Sequence, residues 1–178
     1  AAVEKVTTIG IVYEQVGPTE YAEGNRWKGT AFWQLIDTLT DRRRYDQFLN
    51  LHQGLCDRVE RWQEHDCWLE YPCDEWIPEA AQRYSEQWAT HVCDAWEQSG
   101  GRPDRKVGYY EGFGSRPGWS EDGSGTRRKW VIDWVTMKSG TPELTVEVQI
   151  NSKNTPREKQ LALSVSAIAA SVDRLIHD

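Results

Sequence analysis

The chain has 178 residues, enough for one domain with a proper core, with 28% charged and 11% aromatic residues, a globular balance that excludes a disordered chain. No apolar run is long enough to span a bilayer and no signal-peptide pattern is present, so neither a membrane nor a membrane partner is expected. The net charge of −7 is uneven: the first hundred residues hold the acid excess, which excludes them as the main nucleic-acid surface, and the remainder is slightly basic around residues 116–159.

Ten tryptophans set the chain apart and suit either a large core or a binding face. The four cysteines, Cys56, Cys67, Cys73 and Cys93, form no CxxC. Two disulfides are open to an exported protein, with three connectivities. A zinc site drawn from His65, Cys67, Cys73, His91 and Cys93 is disfavoured, because His91 and Cys93 stand two apart on an expected helix and point to different sides. Buried thiols in a reducing cytoplasm are the expectation.

Residues 5–16 are rich in β-branched side chains and read as a strand ended by Gly17-Pro18. A short helix is expected over 31–39, carrying Phe32, Leu35, Ile36 and Leu39. A second is expected from Asp41 to Glu64, with Tyr45, Phe48, Leu49, Leu55, Val59 and Trp62 as its stripe. Residues 65–77 form an aromatic, acidic connection in which Trp68, Tyr71 and Trp76 either cover the core edge or dock a partner. Pro78 opens a helix to Ser99, stopped by Gly100-Gly101.

A strand over 106–111 then leads into a long Gly-rich loop, which lacks any phosphate-cradling spacing. Two alternating runs follow around Lys138–Pro142, the pattern of a hairpin. With the turn centred on Gly140, Trp130, Ile132 and Trp134 face Ile150, Val148 and Val146 on a core face. The other face sets Val131 opposite Gln149, Asp133 opposite Glu147 and Val135 opposite Thr145. Thr155-Pro156-Arg157-Glu158 starts a last helix as a capping box, with Leu161, Val165, Ile168, Val172 and Leu175 as its packed stripe. The expected architecture is a single α+β domain over 1–178, a mostly antiparallel sheet with helices clustered on one face.

Two carboxylates facing each other across a ladder repel, and a shared proton, a base or a divalent cation must offset this. Asp133 and Glu147 can hold such a cation against a phosphodiester, with Gln149 on the same face orienting water or phosphate and Lys153 or Lys159 adding positive charge.

Asp133, then Glu147-Val148-Gln149 and a helix, resembles the restriction-endonuclease-like PD-(D/E)xK nucleases in their Glu-x-Gln form, over residues 111–170. The resemblance implies Mg²⁺-dependent cleavage of DNA by a homodimer, with Asp133 and Glu147 as metal ligands and Glu111 as an additional upstream acid. Ile132 stands where that pattern often has Pro, and Gln149 where it usually has Lys. The competing expectation is a non-catalytic, acidic, Trp-rich protein of inhibitor or immunity type that docks a basic protein partner, with Trp119 in its mobile loop and Asp133 and Glu147 as surface residues paired with Arg128 or Lys153. A third is a Trp-lined small-ligand pocket between sheet and helices.

Overall fold

The structure is a computed structural model and describes residues 38–39, 41–42, 44–54, 64–71, 78–108, 139–150 and 154–177. Its elements are β1 (Phe48–Gly54), β2 (Cys67–Glu70), α1 (Glu79–Gln98), β3 (Pro103–Gly108), β4 (Glu143–Gln149) and α2 (Arg157–His177). The fold is α+β, as expected. Among the described residues no helix is long and apolar enough to cross a membrane.

The sheet order is β1-β4-β2-β3. β4 runs parallel to β1 and antiparallel to β2, and β2 is parallel to β3, so the sheet is mixed and not mostly antiparallel. The cause lies in the chain path. β2, α1 and β3 make a strand–helix–strand unit, and a helical crossover returns the chain parallel. β1 is a further correction. Residues 48–54 were expected inside a helix, yet Leu49 and Leu51 alternate with Phe48, Asn50 and His52, a period of two that suits a sheet.

β4 is one of the two inner strands, and it shows why the expected hairpin does not form at Glu147. A strand has two hydrogen-bonding edges. At Thr145–Val148 one edge is taken by Asn50–Gln53 of β1 and the other by Cys67–Glu70 of β2. Glu147 therefore lies between His52 and Trp68, and no ladder position remains for Asp133. Asp133 itself, with the rest of 130–135, lies outside the described residues, as do the strand at 5–16 and most of the helix at 31–39.

The expected split of β4 into two faces is observed, with Leu144, Val146 and Val148 in the core and Thr145, Glu147 and Gln149 opposite. Both faces are buried. The core joins the apolar face of β4 to Cys67 and Leu69 of β2, to Trp88, Val92, Cys93 and Trp96 of α1, and to Leu163, Ala167 and Ala170 of α2.

α1 forms where expected. Its buried residues, Ala81, Ser85, Trp88, Ala89, Val92, Cys93 and Trp96, recur at helical spacing along one side. Pro78 stands at the N-cap, and its carbonyl accepts from the Ala81 and Gln82 amides. The end is a Schellman turn. Gly100 has φ +78°, its amide donates to Glu97 O at 3.0 Å, and the Gly101 amide donates to Trp96 O at 2.8 Å.

α2 packs through a different side from the one its sequence suggested. Leu163, Ala167, Ala170 and Ser171 are buried, while Leu161, Val165 and Ile168 are exposed. The α1 tryptophans decide this. Trp88 Nε1 donates to Ser171 Oγ at 2.9 Å and Trp96 Nε1 donates to Leu163 O at 2.8 Å. Two indoles need small neighbours and hydrogen-bond acceptors, and the Ala/Ser side supplies both.

One buried carboxylate ties these elements together. Asp66, fully buried just before β2, accepts from the Arg102 backbone amide (3.0 Å), Nε (3.1 Å) and Nη2 (3.1 Å). Lys159 Nζ and Thr155 Oγ1 of the α2 start each donate to it at 2.8 Å. The Thr155 hydroxyl is thus drawn to Asp66, where the sequence suggested a capping box. The Asp66 backbone pairs with Arg102 O and Gln149 N, both at 2.9 Å. Burial pushes the Asp66 carboxyl up, but the hydrogen bonds from Arg102, Lys159 and Thr155 outweigh it and hold the group at about 2.

Two predictions follow from these contacts. Because the folded value lies below the ordinary 3.8, ionised Asp66 stabilises the fold above about pH 4 and loses that effect as pH falls toward 2. The effect is on the order of 2 kcal/mol. Asp66→Asn should cost roughly 2–3 kcal/mol at pH 7, discounted because Arg102 is half exposed. It should also flatten the acid limb of stability measured by urea unfolding; an unchanged limb counts against the assignment. Gly101→Ala places a Cβ 2.6 Å from Leu163 Cδ2 and 3.1 Å from Trp96 O, and should cost about 1–2 kcal/mol in the same assay.

Candidate functional site

The polar face of β4 is a row of four side chains, Glu143, Thr145, Glu147 and Gln149, all buried. Buried polar groups on a central strand need partners. Thr145 Oγ1 donates to Glu143 Oε1 at 2.7 Å and accepts from Asn50 Nδ2 at 3.2 Å. Gln149 Oε1 lies 3.3 Å from Thr155 Oγ1, so the row runs into the Asp66 cluster.

Glu147 has the partner that matters chemically. His52 stands beside it in the parallel ladder, and His52 Nδ1 lies 2.9 Å from Oε1 and 3.0 Å from Oε2. The carboxylate is nearly buried, at 11% side-chain exposure, while the imidazole keeps 32%, so solvent reaches the pair from the His52 side. Trp68 borders Glu147 on the other strand, with Asp104 opposite Trp68, and both are buried. The hydrogen bond that His52 donates to Glu147 raises the His52 pKa, burial opposes it, and the charges of Glu147 and Glu70 raise it further. Both residues sit toward the carboxyl ends of parallel strands, where open sheets commonly place ligands.

Of the residues expected to form the site, Glu147 and Gln149 share this face, while Asp133 and Glu111 lie outside the described residues. Lys159 is present, but its ammonium is bound to Asp66. His52 was missed because the helical reading of 41–64 hid it; the Leu49/Leu51 alternation ending at Gly54 was the available signal. Among the described residues no group of three or more His, Cys, Asp or Glu is arranged to hold a metal ion. They supply one imidazole and one carboxylate, short of the three protein ligands of a catalytic zinc site.

Cys67 and Cys93 are free thiols in the core. Burial pushes both up, Cys93 to about 12, so neither is a nucleophile at neutral pH. Trp68, Tyr71, Trp88 and Trp96 are buried, so a tryptophan docking face would have to use residues other than these. Trp76 and Trp119 lie outside the described residues.

No protein-family model matches the chain, and no curated protein matches it significantly. Among solved structures, a metallo-carboxypeptidase from Burkholderia cenocepacia is similar, with a TM-score of 0.50 and 15% identity. The match covers 88% of this chain and 38% of that one, so this chain spans well under half of that protein's length. At such identity the likeness is one of fold.

The pair makes a direct prediction. The raised His52 value means that its ion pair with Glu147 stabilises the fold fully below about pH 6.5 and is lost as pH rises through the folded value. In an NMR titration His52 should titrate above 6.5, and Glu147→Gln should bring it back to that value or lower, where burial alone acts. An unmoved midpoint would show that Glu147 is not its partner.

Proposed function

We propose that the polar face of β4 carries part of a metal-dependent hydrolase site for amide bonds, with His52 as a metal ligand and Glu147 as the carboxylate that orients its imidazole. The observation that supports it is the His52 Nδ1 contact with both Glu147 oxygens, on a buried polar face at the carboxyl ends of parallel strands. The fold likeness to the metallo-carboxypeptidase from Burkholderia cenocepacia supports the reaction class. Carboxypeptidase zinc sites draw on two histidines and a glutamate, and His52 is of the right type for one of them. The rest of the ligand set has to come from outside the described residues.

A bound zinc-class ion would polarise the substrate carbonyl and acidify a water. The protein's own part is orientation: Glu147 would accept the Nδ1 hydrogen of His52 and so hold the imidazole with Nε2 presented to the ion. Burial of Glu147 between Trp68 and His52 keeps bulk water off the carboxylate and fixes its direction.

The second reading is the nuclease: Asp133 and Glu147 on Mg²⁺, with Gln149 orienting the phosphate of DNA. What favours it is that Glu147 and Gln149 do share one buried face; what it has lost is the ladder contact between Glu147 and Asp133.

One assay compares the two. Release of the C-terminal residue from hippuryl-phenylalanine and hippuryl-arginine is followed with Zn²⁺, beside plasmid cleavage with Mg²⁺. The amide reading expects zinc-dependent release that Glu147→Gln lowers by roughly 10–100-fold without loss of helical circular dichroism. DNA cleavage lost in Asp133→Asn, with no amide release, would replace it by the nuclease reading. Neither activity would overturn both.

A further inference from the structure

The chain holds four histidines, His52, His65, His91 and His177, and all four are among the described residues. Their places fix how much nitrogen the candidate site can offer a cation. His91 of α1 and His177 of α2 both face Asp173, each Nε2 3.4 Å from one of its oxygens, on the helices that pack against the apolar face of the sheet. His65 stands two residues before Cys67, and the ladder reaches back to Asp66, whose carbonyl accepts from the Gln149 amide. Alternation therefore sets His65 on the side of Cys67 and Leu69, opposite to Trp68 and Glu147. Among the described residues no third His, Cys, Asp or Glu is grouped with His52 and Glu147. His52 is thus the single imidazole of the site. The side chains around it on that face, Asn50, Thr145, Glu147 and Gln149, offer oxygen. The free thiols Cys67 and Cys93 lie in the core, on the other face.

We infer that the cation this site takes is a six-coordinate, oxygen-preferring ion of the Mn²⁺ class, bound through one histidine nitrogen, and not a zinc held by two histidines. The inference rests on the reading of His52 as a metal ligand. A two-histidine zinc site needs a second imidazole, and the chain has none to bring there. One imidazole amid carboxylate, amide and hydroxyl oxygens is a harder donor set, and hard ions fill their remaining positions with water. The Glu147 contact agrees with this count, because it engages Nδ1 and leaves each imidazole one nitrogen to give. Zinc binds most mixed nitrogen and oxygen sites more tightly than manganese, so nitrogen count and geometry decide the matter, and affinity does not.

The test uses the full chain with His91→Ala and His177→Ala, which removes the two outlying surface imidazoles. Both are exposed, at 41% and 72%, so circular dichroism should match the parent. The protein is loaded with Mn²⁺ for pulsed EPR and with Co²⁺ for visible absorption. The expected result is nitrogen coupling from one histidine, absent after a further His52→Ala, and the weak visible bands of six-coordinate Co²⁺. Coupling to two histidines, coupling that survives His52→Ala, intense four-coordinate Co²⁺ bands, or sulfur-to-cobalt charge transfer would each overturn the inference. A one-nitrogen ion without amide release sinks the amide reading and leaves this one standing; zinc-dependent release from a two-nitrogen site does the reverse. No bound ion in either experiment overturns both.

Discussion

Asp66 is the contact on which the described fold most depends. It is a single fully buried carboxylate that holds Arg102 from the α1–β3 turn and Thr155 and Lys159 from the start of α2, while its own backbone carbonyl accepts from the Gln149 amide at the end of β4. A buried charge is costly to desolvate, and it is tolerated here because two cations, a hydroxyl and a backbone amide all point at it. Such a cluster adds less to net stability than its five hydrogen bonds suggest. Its larger effect is registration: the start of β2, the start of β3 and the entry of α2 are fixed relative to one another at one point.

That registration reaches the candidate site. The polar row of β4 runs from Glu143 to Gln149, and its last member borders Thr155 in the Asp66 cluster. Glu147 is one alternation back. The cluster thus anchors the end of the strand whose next inward carboxylate meets His52. The anchor holds Asp66 far below neutrality, whereas the site raises His52 toward the range where protons exchange at physiological pH. Two carboxylate-centred contacts on one sheet face therefore serve different ends. The first has excess donors and stays ionised, and the second has one titratable donor and can change state.

The sequence was most legible where local signals were redundant. α1 announces itself by Pro78, helical spacing and Gly100-Gly101, and the structure adds only the Schellman geometry. The alternation of β4 was equally clear, and its two faces are those observed. Legibility failed where the deciding partner was remote. Phe48–Gly54 is short and half apolar, so its helical and extended readings differ little until β4 lies beside it. The pairing of β4 is not legible locally for a related reason: a hairpin is the cheapest local partner, but two strands distant in the chain occupy both edges. His52 and Asp66 carry no sequence signal of function, because their importance is a property of what they meet and not of any motif around them.

α2 shows the same rule acting on side-chain volume. Its sequence offers two faces, one of large aliphatic residues and one of Ala, Ser and a single Leu, and hydrophobicity alone favours the larger for the core. The structure inverts that order because Trp88 and Trp96 already fill the space between helix and sheet. Large against large would overpack, while Ala167, Ala170 and Ser171 leave room and supply the Ser171 oxygen that an indole N–H requires. Once the small face is spent inside, the aliphatic face is left outside with its helical period intact. The exposed aliphatic face is therefore not an independent feature of α2: it is the outward consequence of a tryptophan-rich core, and changing Trp88 or Trp96 to a small residue would remove the physical reason for α2 to present it.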